Sequence, residues 1–173
     1  MHKRIYVFVG PKGVGKSFLA SHVAARLGLH FLRVEEIWMA VKSLDLPNEE
    51  FEREGSSRVL NAVRTLLQTH DQIIIESVGA SRVFSQQLAE LEKMADVALV
   101  RIRAPLALCF ERVRTRDPAT QLNLSDERVL EINRVADAFE RAWDLEFDNS
   151  SGDGAETFCG LFAATFEQRV SVT

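Results

Sequence analysis

Five apolar residues stand in a row near the start of the chain, Ile5-Tyr6-Val7-Phe8-Val9, and similar runs recur at Ile73-Ile74-Ile75 and Val97-Ala98-Leu99-Val100. Uninterrupted runs of this length suit strands of a parallel sheet covered on both faces. Between them the period lengthens. Residues 16–28 put Phe18, Leu19, Val23 and Leu27 on one side and Ser21, His22 and Arg26 on the other, which predicts a helix. A short strand over 30–34 follows Gly28, a helix over 35–44 stops before Leu46-Pro47, and a longer helix over 48–70 carries Val59, Leu60, Val63, Leu66 and Leu67 at core spacing. Further helices are predicted over 82–94 and after Pro105, a residue suited to a first helical turn. Ser125 caps another, expected to reach Trp143 because Val129, Ile132, Ala136, Phe139 and Trp143 recur at heptad-like spacing. Residues 145–148 read as a last short strand, and the loop from Asn149 to Gly154 leads into a helix rich in alanine and phenylalanine. Strands alternating with helices predict an α/β fold: one domain over residues 1–173, a parallel sheet with helices on both faces.

Composition narrows the function more than the fold. A formal charge of −4 leaves no electrostatic footprint for nucleic acid or an anionic membrane, so any anionic ligand needs a local basic pocket. No apolar stretch is long enough to span a bilayer, and no leader is visible before the first strand. Cys109 and Cys159 sit in apolar surroundings and form no C-x-x-C pair, which reads as buried thiols in a reducing compartment. The four histidines have no metal-ligand spacing. The expectation is a cytoplasmic monomer or homodimer.

The chemistry begins directly after the first strand, in GPKGVGKS. Gly10, Gly15, Lys16 and Ser17 satisfy G-x-x-x-x-G-K-S, and the intervening Pro11, Lys12, Gly13 and Val14 complete a loop that ends on a helix at Phe18. Several backbone N–H groups can converge on a polyphosphate only where the chain lacks Cβ atoms at its tightest points. Lys16 is expected to face solvent and reach the β- and γ-phosphates, Ser17 to ligate Mg²⁺, and the helix N-terminus to add favourable potential.

Two other features bear on the same chemistry. Arg112 and Arg116, in the segment RVRTRDP, are expected one turn apart on a helix flank. They are arginines of a closing lid, or charges that suit a helix C-terminus. The polar stretch from Ala119 to Leu124 is expected to be mobile. Glu76 closes the isoleucine strand, where parallel sheets bind ligands beyond their carboxyl ends. It could orient metal-bound water, accept a proton from an acceptor hydroxyl, or cap a neighbouring helix.

The loop GPKGVGKS, the segment RVRTRDP and the late DNSSG together resemble the P-loop small-molecule kinases, among them nucleoside monophosphate kinases, dephospho-coenzyme A kinases and shikimate kinases. The resemblance implies a three-layer P-loop NTPase fold with sheet order 2-3-1-4-5, an ATP-Mg²⁺ donor and a small-molecule acceptor. It also implies a mobile lid near residues 112–128 and Arg112 stacked near the adenine, with Asn149 and Ser150 bordering the base. Acceptors in these families bind over about residues 35–70 and beside the third strand, which here offers Glu35, Glu36, Arg53, Arg58, Glu76 and Gly79. Shikimate kinases carry an aspartate where Glu35-Glu36 stand and a glycine run where this chain has Ser77-Val78-Gly79-Ala80, and the Gly-Phe-Pro-Arg-like stretch of monophosphate kinases is missing. The reading is an ATP-dependent kinase nearest the nucleotide-kinase-like group. Its alternatives are a shikimate- or gluconate-kinase-like enzyme and a nucleotide-binding ATPase or regulator without an acceptor.

Overall fold

The computed structural model describes residues 3–168. Its order is β1 (Arg4–Val9), α1 (Lys16–Leu27), β2 (His30–Leu32), α2 (Val34–Lys42), α3 (Asn48–Leu66), β3 (Gln72–Ser77), α4 (Phe84–Glu92), β4 (Asp96–Arg103), α5 (Leu106–Arg114), a 3₁₀ turn (Pro118–Thr120), α6 (Asp126–Ala138), β5 (Leu145–Asp148) and α7 (Ala155–Thr165). The five strands form one sheet in the order β2-β3-β1-β4-β5, the topology the resemblance implies. Every pairing is parallel, with Ile5 in register with both Ile73 and Val97. The fold is that of the P-loop NTPases.

Alternation along each strand divides the core into two halves. Tyr6, Phe8, Ile74, Val100 and Ile102 face α1 and α7, where they meet Leu19, Val23, Phe158 and Phe162. Ile5, Val7, Val9, Ile73, Ile75 and Leu99 face α3 and α4, against Val59, Val63, Phe84, Leu88 and Leu91. Burying each such side chain stabilises the fold by roughly 1.5–3 kcal/mol relative to exposure, and the two-sided burial explains why β1 and β3 are nearly apolar throughout.

Two elements depart from expectation. Phe18, placed by periodicity with the core residues of α1, is 54% exposed. The heptad-like spacing past Ser125 does not carry α6 to Trp143. The helix ends at Ala138, and Phe139 turns extended with ψ 116°. That turn sets the Phe139 ring against Phe84 at 5.5 Å and Trp143 at 5.8 Å, and brings Glu140 to Arg101 at 3.0 Å. Tertiary packing outweighs helical periodicity here.

Candidate active site

The loop between β1 and α1 lies at the carboxyl end of the sheet and is fixed from three directions. Gly13 and Gly15 have φ of 88° and 101°, conformations that glycine adopts without steric cost. A Cβ on Gly13 would stand 2.1 Å from the Cys109 carbonyl oxygen, so the loop packs directly on α5. Asn133 of α6 grips the Lys12 residue at both ends. Its Oδ1 accepts from the Lys12 backbone N–H at 2.7 Å, and its Nδ2 donates to the Lys12 carbonyl at 2.9 Å. Asn149 Nδ2 donates to the Val14 carbonyl at 2.9 Å. Arg112 in turn donates to the Asn149 and Ser150 carbonyls at 3.1–3.2 Å, tying α5 to the segment after β5.

Lys16 does not face solvent as expected. It is buried, and its ammonium donates to the Gly10 and Pro11 carbonyls at 2.7 and 2.9 Å. Burial pulls its pKa down to about 8, while the charge of Glu76 opposes that shift. Next to it, Ser17 Oγ donates to Glu76 Oε2 at 2.6 Å. The α1 N-terminus and the end of β3 thus place a hydroxyl and a buried carboxylate together. The first N–H groups of α1, which no helix can satisfy internally, lie beside them.

Glu35, in the first turn of α2, joins three elements. Its Oε1 accepts from Lys12 Nζ at 2.6 Å and from the Leu122 backbone N–H at 2.9 Å, and Arg116 Nη1 lies 3.8 Å from its Oε2. Burial opposes its ionisation, but Lys12, the Leu122 amide and Arg116 outweigh burial and hold its pKa below the usual carboxylate value. The polar segment from Ala119 to Leu124 is held to its neighbours at two residues. Gln121 is buried and donates to the Val113 carbonyl at 3.2 Å, and Leu122 bonds Glu35.

A cavity of about 250 Å³ opens at Ser17 and is lined by Arg33, Glu35, Glu36, Met39, Glu76 and Ala119. Helix α2 is held over it by close packing on α3: Trp38 lies so near Gly55 that a Cβ there would meet its ring at 1.9 Å. A glycine inside a helix costs about 1 kcal/mol relative to alanine, and here it permits that approach.

Of the residues expected in the site, the structure brings together the loop residues, Ser17, Glu76, Glu35, Glu36 and Arg116. Arg112 and Arg116 do not share a helix flank, since α5 ends at Arg114 and they turn to Asn149 and Glu35 respectively. Arg53 and Arg58 are exposed on α3, Arg58 paired with Glu54 at 2.7 Å, and neither lines the cavity. Gly79 is buried with φ 71° against Val9, Phe139 and Phe84. Asn133, Gln121, Arg33 and Met39 escaped the sequence reading. Only the placement of Asn133 on the core side of a capped helix, beside Val129 and Ala136, hinted at a buried polar role.

The sequence matches the AAA domain family over residues 5–139. No curated protein matches the chain. Among solved structures it is similar to a sugar kinase from Janibacter sp. HTCC2649, with a TM-score of 0.69 and 14% identity over 96% of this chain and 95% of that one. It is also similar to the shikimate kinase of Acinetobacter baumannii in complex with shikimate, with a TM-score of 0.63 and 19% identity over 96% and 94% of the chains. A third likeness is to the APS kinase of Mycobacterium tuberculosis in complex with AMPPNP and APS, with a TM-score of 0.64 and 19% identity over 96% and 99%. These likenesses are in fold.

Proposed function

The chain belongs to the AAA domain family, and from that premise we propose that it is an ATP- and Mg²⁺-dependent phosphotransferase acting on a small molecule, built as one domain over residues 1–173. One observation carries the reading. The cavity of about 250 Å³ starts at Ser17 on the phosphate loop itself and extends to α2 and Ala119, leaving room for an acceptor beside the donor. The fold likeness to three kinases supports phosphoryl transfer without choosing an acceptor.

In this reading the loop amides and Lys16 hold the donor phosphates, with Lys16 exchanging the Gly10 and Pro11 carbonyls for phosphate oxygens. The Ser17 hydroxyl and Glu76 carboxylate, 2.6 Å apart, are hard oxygen donors of the kind magnesium takes one or two of alongside substrate phosphates. When bound there, magnesium neutralises charge on the β- and γ-phosphoryl oxygens. Arg112 and Asn149, already joined, border the base together with Phe18, and Arg116 reaches the transferring group from its place beside Glu35. The segment over about 112–128 then acts as the lid.

The test is ADP release by the purified chain, measured with and without hydroxylated acceptors, in wild type and Glu76→Gln. An acceptor should stimulate release strongly, and Glu76→Gln should bind ATP nearly normally yet turn over at least about tenfold more slowly. Release that no acceptor stimulates would favour a nucleotide-binding ATPase or regulator.

A further inference from the structure

The cavity beside Ser17 carries a charge pattern that the phosphate loop does not require. Glu35, Glu36 and Glu76 supply three carboxylates to its lining. An ionised carboxylate only accepts hydrogen bonds, so the acceptor positions not already taken by Ser17, Lys12 and Leu122 ask the occupant for O–H or N–H donors. Arg33 is the one cation among the lining residues, and its Nε lies 3.4 Å from Glu36 Oε1, so its charge is offset within the same wall.

The neighbouring cations are engaged too. Lys12 donates to Glu35 at 2.6 Å, and Arg116 sits 3.8 Å from the same carboxylate. On α3, Arg58 pairs with Glu54, and both Arg53 and Arg58 are exposed rather than part of the lining. Recognition of a phosphate or carboxylate calls for an arginine fork or lysine turned toward the ligand. Here Lys12, Arg116 and Arg33 already face carboxylates, and among the lining residues none is a cation turned toward a ligand without a carboxylate beside it.

Resting on the kinase reading above, we propose that the acceptor is an uncharged or cationic molecule rich in hydroxyl or amino groups, such as a polyol or aminopolyol. It is neither a nucleoside monophosphate nor a carboxylated acceptor. The cavity also bounds its size. About 250 Å³ falls below the roughly 300–1,000 Å³ typical of drug-sized ligands, which suits a single ring or short chain. In the transfer, the acceptor hydroxyl oxygen forms a bond to the γ-phosphorus as the bond to the β,γ-bridging oxygen breaks. The electron pair leaves with ADP, and the hydroxyl proton passes to a carboxylate of the cavity. The products are a phosphate monoester and ADP.

The experiment uses the full chain with Mg²⁺-ATP and matched acceptor sets: glucose, glucosamine, glucuronate and glucose 6-phosphate in one, adenosine and AMP in another, and a shikimate arm. ADP release and the mass of the product are read together. Transfer is expected to a neutral or amino member, with kcat/KM at least about a hundredfold above its anionic counterpart. Preference for AMP, shikimate or another anionic member overturns the proposed class and leaves the kinase reading standing. Stimulation by no member of any set overturns the kinase reading, and the class falls with it. A second measurement uses Glu36→Arg, an exposed position in the first turn of α2. It should raise the relative kcat/KM of anionic members about tenfold, and an unchanged ratio would mean that the acceptor does not occupy this cavity.

Discussion

Between Gly10 and Ser17 the loop is fixed by hydrogen bonds from buried amides, Asn133 on Lys12 and Asn149 on Val14, whereas the facing wall of the cavity is positioned by ion pairs that meet at Glu35. Neutral buried bonds hold a single geometry over a wide range of pH and salt. Ion pairs at half-buried sites are screened and titrate. The loop thus keeps one geometry as pH and salt change, whereas the facing wall depends on the charge state of Glu35.

The largest effect that would break this comparison is at Lys16. Replacing it with methionine keeps most of its volume in the buried pocket while removing the charge. Phosphoryl transfer should fall by at least about a hundredfold, the scale for losing one preorganised electrostatic contact. Steady-state ADP release with a working acceptor measures it, and near-wild-type turnover would remove the loop from the chemistry.

A stability comparison sharpens the contrast between the two sides. Asn133→Ala leaves the buried N–H and C=O of Lys12 without their partners and should cost about 1–3 kcal/mol. Arg116→Ala removes a half-exposed charge from a 3.8 Å contact and should change stability by no more than about 0.5 kcal/mol. Urea midpoints of the two variants decide the matter. Equal losses would show that the loop and the facing wall are braced alike.

The smallest effect is in the acid limb of stability. The folded protein holds Glu35 below its usual pKa of 4.5, so the unfolded chain binds its proton first as pH falls. The stabilisation is complete above about pH 4.5 and is lost as pH drops through the lower folded value. Glu35→Gln should therefore be less stable than wild type at pH 7, by about 1 kcal/mol for a half-buried charge-assisted bond. The two proteins should converge as Glu35 becomes protonated in the folded state, and a difference in melting temperature that persists through the whole acid limb would assign the effect to packing.

The same contrast explains what could be read in advance. Eight contiguous residues specify the phosphate loop because its geometry is local: glycines at the positive-φ positions, then a lysine and a serine opening a helix. The strands were legible from apolar runs, and their order followed from the resemblance alone. The resemblance pointed to Glu35, Glu36 and Glu76, but Arg33 and Met39 were missed because they join the cavity only through the fold. Arg112 and Arg116 misled for a related reason. Their spacing fits one helix turn, yet α5 stops between them and the local Asp117 side chain accepts from Ala119 N–H to start a different turn. Phe139 and Trp143 fit a heptad and serve an extended segment instead.

The two carbonyls that Lys16 occupies set a cost on any anion that would draw its ammonium away. A ligand shifts a conformational equilibrium only by its difference in affinity for the two states. If the inward-turned lysine is favoured about tenfold, every anion that needs it turned outward binds about tenfold more weakly than the bare contact would allow. Sulfate or inorganic phosphate has one tetrahedral group with which to recover that loss. In the kinase reading a nucleoside triphosphate would meet several loop amides at once. The inward turn of one side chain thus lowers the affinity of all such anions by one common factor and leaves discrimination between one phosphate and several to the loop amides.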